Sequence, residues 1–472
     1  MRTITFILIA IVALGGLSAC KQTVTPPVNP TAMSTATAPP APPVTATLLS
    51  PSSSEVTLNT PTPLAISTQD CLLTEIPLLN ERLWLLESFA WSPRGDRLAY
   101  IGPNSDKADI SLTGTLILSI VPHSDTPQIL ASNAMGDPTW SPDGSQIAFV
   151  AFRPSDQLGT IMIVNADGSN LTDTLPENAA RTDSGAGYKA IEGWWDEDQI
   201  VVSTNCGAGC RRLMLLDLRQ QALEPILPSG QEGNSYVWSP DRASIVVTNG
   251  ANPQIGVISQ NEEEVSWFSG HGSLDIAQTS SWTFFSDWSP DSSRLLFLHQ
   301  PNDRSRLPEL WMWDRETRIM SALLSNVIAA RWSPQGDQIA FLALGQPQLA
   351  STGSFRGTVS DHDGSNALVV GLYQYLEGRI TTLFEDSTVD VDINFIEELT
   401  QAPVLVWSPN GEQLAYFDAV GHARLFSKKE FSQYEIPTRG YLPDEVSWSS
   451  DGKKLAVKTS GYLQIFSVPC SP

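Results

Sequence analysis

The side chains able to do chemistry are few and widely separated. Five histidines, His123, His271, His299, His362 and His422, fall in different parts of the chain. No two have the short spacing by which a helix or hairpin presents paired ligands to zinc. Asp361-His362-Asp363-Gly364-Ser365 begins like a calcium loop, but no glycine holds the sixth position and Leu372 stands where a glutamate would close the cage. A polar turn accounts for it better, since Asp167-Gly168-Ser169 repeats the same chemistry. No Gly-x-Ser-x-Gly elbow exposes a serine nucleophile. The expectation is a non-enzyme with no metal, no cofactor and no catalytic residue, unless the fold brings distant histidines together. Five cysteines remain: Cys20, Cys71, Cys206, Cys210 and Cys470. The closely spaced Cys206-Gly207-Ala208-Gly209-Cys210 suits a redox pair, half a metal site or a staple across a hairpin tip, and the staple is preferred.

The elements that must position these groups begin after a leader. Met1 and Arg2 precede an apolar run from Ile4 to Leu14 and then small residues, an export signal too short to span a bilayer. Its ending, Leu17-Ser18-Ala19-Cys20, is similar to a bacterial lipobox. That resemblance implies cleavage after residue 19 and lipid on Cys20, with an ordinary signal peptide as the alternative. Several acyl chains anchor stably where one does not. The mature chain is then an extracytoplasmic, membrane-anchored lipoprotein, on the outer face of the cell membrane or in the periplasm at the outer membrane. Residues 20–68 are rich in Pro, Thr and Ser, with Lys21 and Glu55 their only charges. Such a segment cannot bury enough apolar surface to order itself, and it reads as a stalk spanning on the order of 40 Å.

Residues 69–472 repeat themselves. Trp91-Ser92-Pro93-Arg94-Gly95-Asp96 leads into Leu98-Ala99-Tyr100, and Trp140-Ser141-Pro142-Asp143-Gly144 into Ile147-Ala148-Phe149. The pattern returns at Trp238, Trp288, Trp332, Trp407 and Trp448, with a degenerate copy at Trp195. In every full copy an Ile or Leu follows the tryptophan by seven residues. Proline fixes φ for a tight turn, Asp and Ser bond its backbone, and glycine accepts the left-handed conformation. The continuous apolar run that follows indicates a strand covered on both faces. A second strand, a polar turn such as Asn165-Ala166-Asp167-Gly168-Ser169 and a weaker outer strand complete the unit. Four strands in about fifty residues, sandwiched between similar sheets, describe a β-propeller blade.

These units resemble the TolB-like, WD40-like (PD40) propeller repeats, and also the propellers that precede the hydrolase domain of prolyl-oligopeptidase-type peptidases. The resemblance covers about residues 71–472. It implies an all-β chain with a single propeller, eight blades being favoured and seven the alternative if the Trp195 copy forms no sheet. The last copy lacks an outer strand, which Cys71–Ile76 can supply, so strands from both termini close the ring. With Cys20 lipidated, four cysteines are left. Of the three possible pairings, Cys71–Cys470 and Cys206–Cys210 are preferred, the first closing a loop whose entropy contributes up to about 5 kcal/mol.

Composition narrows the partners. Fifty-one acidic against 28 basic residues give a formal charge of −23, which argues against nucleic acid. The interval from Trp332 to Trp407 is 75 residues, and its excess, 345–366, reads as a loop touching a partner. The preferred function is a monomeric propeller scaffold that binds an envelope protein or peptide. A carbohydrate or small-ligand sensor is the alternative, with Trp267, Trp282, Trp311 and Trp313 as surface aromatics. A propeller-shaped polysaccharide lyase or other hydrolase ranks third.

Overall fold

In a computed structural model the chain divides into two units, 1–50 and 51–472. The structure describes residues 62–64, 72–77, 89–102, 114–120, 127–153, 158–174, 189–207, 210–227, 232–233, 235–249, 254–259, 266–267, 282–300, 307–350, 367–386, 405–418, 422–436, 438, 443–459 and 462–468, all in the second unit. Cys20, Cys71, Cys470, His123, His271, His362 and residues 351–366 lie outside them, as do the side chains of Cys206, Cys210, Trp267 and Trp282.

Every element among the described residues is a strand. β1 (Thr62–Leu64) and β2 (Leu72–Pro77) precede the repeats. The first repeat supplies β3 (Phe89–Trp91), β4 (Arg97–Gly102), β5 (Gly114–Ile120) and the start of β6 (Gln128–Trp140). The end of β6 opens the second, with β7 (Gln146–Arg153), β8 (Leu158–Asn165) and β9 (Thr172–Asp173). The third comprises β10 (Lys189–Trp194), β11 (Gln199–Gly207), β12 (Cys210–Asp217) and β13 (Ala222–Pro225). Then come β14 (Ser235–Trp238), β15 (Ser244–Asn249), β16 (Gln254–Ser259) and β17 (Ser266–Trp267), followed by β18 (Trp282–Trp288), β19 (Arg294–Gln300), β20 (Glu309–Asp314) and β21 (Met320–Leu324). The sixth has β22 (Val327–Trp332), β23 (Ile339–Leu344), β24 (Leu368–Gln374) and β25 (Arg379–Asp386). β26 (Leu405–Trp407), β27 (Gln413–Phe417), β28 (Ala423–Ser427) and β29 (Ser432–Ile436) form the seventh; β30 (Pro443–Trp448), β31 (Lys454–Thr459) and β32 (Tyr462–Ser467) end the chain.

Within each repeat, consecutive strands pair antiparallel. The first two repeats share one sheet, because β6 faces β5 through Ile129 and Ala131 and faces β7 through Thr139 and Trp140, with register breaks between. β2 is the outer strand of the last sheet, Leu72 opposite Phe466 and Pro77 opposite Tyr462. A strand not foreseen is β1, which lies parallel to β29 with Thr62 opposite Ser432. It falls inside the segment expected to be stalk. An extended Thr-Pro-Leu can use the free edge of β29, where proline is tolerated.

The core sits between sheets. The residues opposite the repeat tryptophans, Leu98, Ile147, Ile200, Ile245, Leu295, Ile339, Leu414 and Leu455, are fully enclosed. Burial of each contributes about 1.5–3 kcal/mol relative to exposure. β23 is buried along its whole length, as a strand covered on both faces must be. First strands lie against one another in succession, β3 by β6, β6 by β10, β18 by β22, β22 by β26 and β26 by β30.

The tryptophan of the third repeat requires a correction. Trp194, not Trp195, ends the first strand and faces Ile200. Two tryptophans are adjacent here and the turn is one residue shorter than in the other copies, so Trp195 falls at the first turn position. It is half-buried, edge-on to Trp238 with centroids 5.2 Å apart.

Candidate functional site

The two ends of the repeats differ in kind. One end carries the Trp-Ser-Pro turns. In each full copy the serine hydroxyl accepts the amide of the residue five positions on and donates to the turn carboxylate or amide. Ser141 accepts from Gln146 at 2.9 Å and donates to Asp143 at 2.6 Å. The Ser141 hydroxyl and the Ser145 amide hold the Asp143 carboxyl at about 2, well below the usual aspartate value. Gly95, Gly144, Gly336, Gly411 and Gly452 have φ between +67° and +72°, and Arg242 and Ser292 take that conformation in the two copies lacking glycine. Each turn packs on the next: a Cβ on Gly144 would meet Pro93 at 3.3 Å.

Indole groups extend the order from repeat to repeat. Trp140 Nε1 donates to the Ala90 carbonyl at 3.0 Å, Trp194 to Thr139 at 3.0 Å and Trp448 to Val406 at 3.1 Å. Trp407 reaches Arg331 at 3.4 Å, and Trp91 reaches Ser447 of the last repeat at 3.3 Å. The acceptor is always the residue before the neighbouring repeat's tryptophan. Trp238, Trp288 and Trp332 have buried Nε1 groups with no acceptor among the described residues. At one of these places Asp287, the residue before Trp288, accepts the Trp332 amide at 2.8 Å. Burial pushes the Asp287 carboxyl up to about 6, against the opposing pull of Arg331.

The opposite end is irregular. Connections between second and third strands there range from 208–209 to 345–367, whereas the Trp-Ser-Pro turns stay close to 141–145 in length. The Cys206–Cys210 stretch is indeed a hairpin tip, Gly207 opposite Cys210. Beside it Arg212 pairs with Glu232 at 3.1 Å, Arg211 lies 3.8 Å from Glu192, and the Tyr236 hydroxyl accepts the Gly233 amide and donates to the Arg211 carbonyl. At the same end of the seventh repeat, enclosed Asp418 is held by Arg424 Nε at 2.8 Å, with His422 Nδ1 at 3.5 Å. The 345–366 segment starts here, bonding back so that Leu349 bridges Leu324.

Two of the surface aromatics expected from sequence lie in the core. Trp311 and Trp313 are buried; Trp311 donates to Glu309 at 3.1 Å and lies edge-on to His299, and Trp313 packs against Trp288. Neither offers a surface to a sugar. Among the described residues no group of three or more His, Cys, Asp or Glu converges as metal ligands would. No described helix is long and apolar enough to cross a membrane.

No protein-family model matches the chain, and no curated protein matches it. Among solved structures it is similar to the Dos1 propeller, at 10% identity and a TM-score of 0.51, over 84% of this chain and 94% of that one. It is also similar to Porphyromonas gingivalis dipeptidyl peptidase 4, at 12% and 0.45, over 68% of this chain and 49% of that one. A third is oligogalacturonate lyase in complex with manganese, at 14% and 0.45, over 84% and 98%. The first likeness, with the succession of antiparallel sheets, establishes a β-propeller fold and nothing finer.

Proposed function

We propose that this chain is an eight-bladed propeller scaffold, closed by strands from both ends, tethered outside the cytoplasm by lipid on Cys20, and holding a protein or peptide of the envelope. Eight first strands ending in tryptophan support the blade count. The pairing of β2 with β32 and the indole bond from Trp91 to Ser447 support closure. Disulfides Cys71–Cys470 and Cys206–Cys210 belong to the same proposal.

The observation that carries a binding role is the asymmetry of the two ends. Uniform turns that satisfy their own polar groups build the ring and leave little to vary. Length variation is greatest at the other end, where 345–367 is the longest stretch between a second and a third strand among the described elements. Rigid scaffolds place recognition on such loops. The test is crosslinking and pull-down from native membranes with the wild-type chain, with 345–366 replaced by a short turn, and with Cys20→Ala. The wild type should retain a partner that the shortened chain loses. Capture unchanged by shortening refutes the assignment to this end.

A further inference from the structure

The junctions between successive repeats include one where the side chain facing the preceding repeat is only a methyl group. In the second, third, fifth, seventh and eighth repeats the residue just after the third strand donates its amide to the preceding turn: Ala166 to Ser145, Leu218 to Asp198, Arg315 to Ser293, Lys428 to Glu412 and Val468 to Lys453. In the sixth repeat register puts Tyr375 at this position. Most of these side chains fill the space against the preceding sheet. Arg315 bonds Asp241 of the repeat before it at 2.8 Å, and Lys428 lies 3.6 Å from Asp337. Tyr375 lies under the Arg294 guanidinium, 5.3 Å from its ring centroid, and edge-on to Trp332 at 5.2 Å.

Between the first and second repeats the position holds Ala166, the smallest of the set. A cavity of about 420 Å³ opens there, lined by Arg94, Arg97, Asp143, Asn165, Ala166 and Asp167 among others. Its size lies within the range of about 300–1,000 Å³ that small-ligand sites occupy. Arg97 is the counterpart of Arg294, each preceding the residue that faces its repeat tryptophan. Arg294 faces Asp314 in register and has its Nε 3.7 Å from that carboxylate, whereas Arg97 faces Ile120. Arg97 therefore lacks both partners of Arg294, the carboxylate and the ring, and its guanidinium has no ion pair or hydrogen bond among the described residues.

We propose that this cavity binds an aromatic side chain of a peptide, with the ring against Arg97 in the place that Tyr375 fills from within the chain at the junction of the fifth and sixth repeats. The flanking carboxylates of Asp96, Asp143 and Asp167 each accept a serine hydroxyl of their own turn and favour a neutral or cationic aromatic segment over an anionic one. The site lies at the turn end, opposite the end from which residues 345–350 leave β23, so it stands or falls separately from the recognition face proposed above.

The test is titration of the full chain with N-acetyl-tyrosinamide, followed by saturation-transfer NMR, with N-acetyl-leucinamide as the apolar control. Saturable binding that favours the tyrosine probe is expected. Arg97→Ala should weaken it about 2- to 5-fold, the loss of one cation–ring contact. Ala166→Tyr should abolish it and raise the unfolding midpoint, by rebuilding the Tyr375 arrangement. Ala166→Leu, which copies Leu218 of the third repeat, gives a second filled cavity should the tyrosine variant misfold. Equal binding of the two probes, no saturable binding, or binding indifferent to filling the cavity overturns the proposal.

Discussion

Asp287→Asn removes a titrating carboxyl where two first strands meet. Asp287 Oδ2 accepts the Trp332 amide at 2.8 Å, a bond that an asparagine oxygen can also accept. Burial raises the carboxyl from 3.8 to about 6. A raised carboxyl pKa means that the folded chain holds the proton more tightly than the unfolded one. The stability this confers is complete below about pH 4 and is lost as pH rises through about 6. A gap of about two pH units at about 1.4 kcal/mol each amounts to about 3 kcal/mol. Asp287 keeps a partial opening to solvent, which makes that figure the upper end. Asparagine does not titrate, so the variant should gain on the wild type by up to about 3 kcal/mol between about pH 4 and pH 7. Urea midpoints for both chains across that range measure it, with m-values checked for a common unfolded state. Other titrating groups cancel in the difference. A gap between the two chains that stays flat with pH refutes the assignment of Asp287.

Two further outcomes test the packing. Gly144→Ala forces a side chain into φ +72° against Pro93, and should destabilise by about 1–2 kcal/mol on denaturant titration. Arg424→Met leaves the Asp418 carboxylate enclosed without its main cation, and should cost about 3 kcal/mol near neutral pH, read from the same titration.

The repeat was legible because its signal is local. A tryptophan, a turn built from Ser, Pro, Asp and Gly, and an enclosed Ile or Leu seven residues on specify two paired strands, and the structure has them at Trp91, Trp140, Trp238, Trp288, Trp332, Trp407 and Trp448. Trp194 was missed because its turn is shorter, and an adjacent tryptophan matched the pattern as well by composition. β1 carries no sequence signal, since its pairing depends on the free edge of β29 more than on its own three residues. The strand β6 runs through two repeats because Asn133 and Gly136 take positive φ inside it and bend it without breaking it. The Ala166 cavity was out of reach for a different reason. A small residue in a polar turn is unremarked in sequence, and its meaning depends on what Tyr375, Lys428 and Arg315 do at equivalent junctions.

The pairing of β2 with β32 also sets a clock. Gln464 bonds Glu75 at 3.0 Å across 389 residues of sequence. At a synthesis rate of about 5–20 residues per second, the early strand waits about 20–80 s for its partner to emerge. During that interval its backbone groups and the face of the first repeat that the last one covers stay open to wrong pairings. Contacts this distant in sequence are also slow to form once the chain is whole. A chain cut near residue 460 lacks β32, the partner of β2, and should aggregate on refolding while keeping most of its strands.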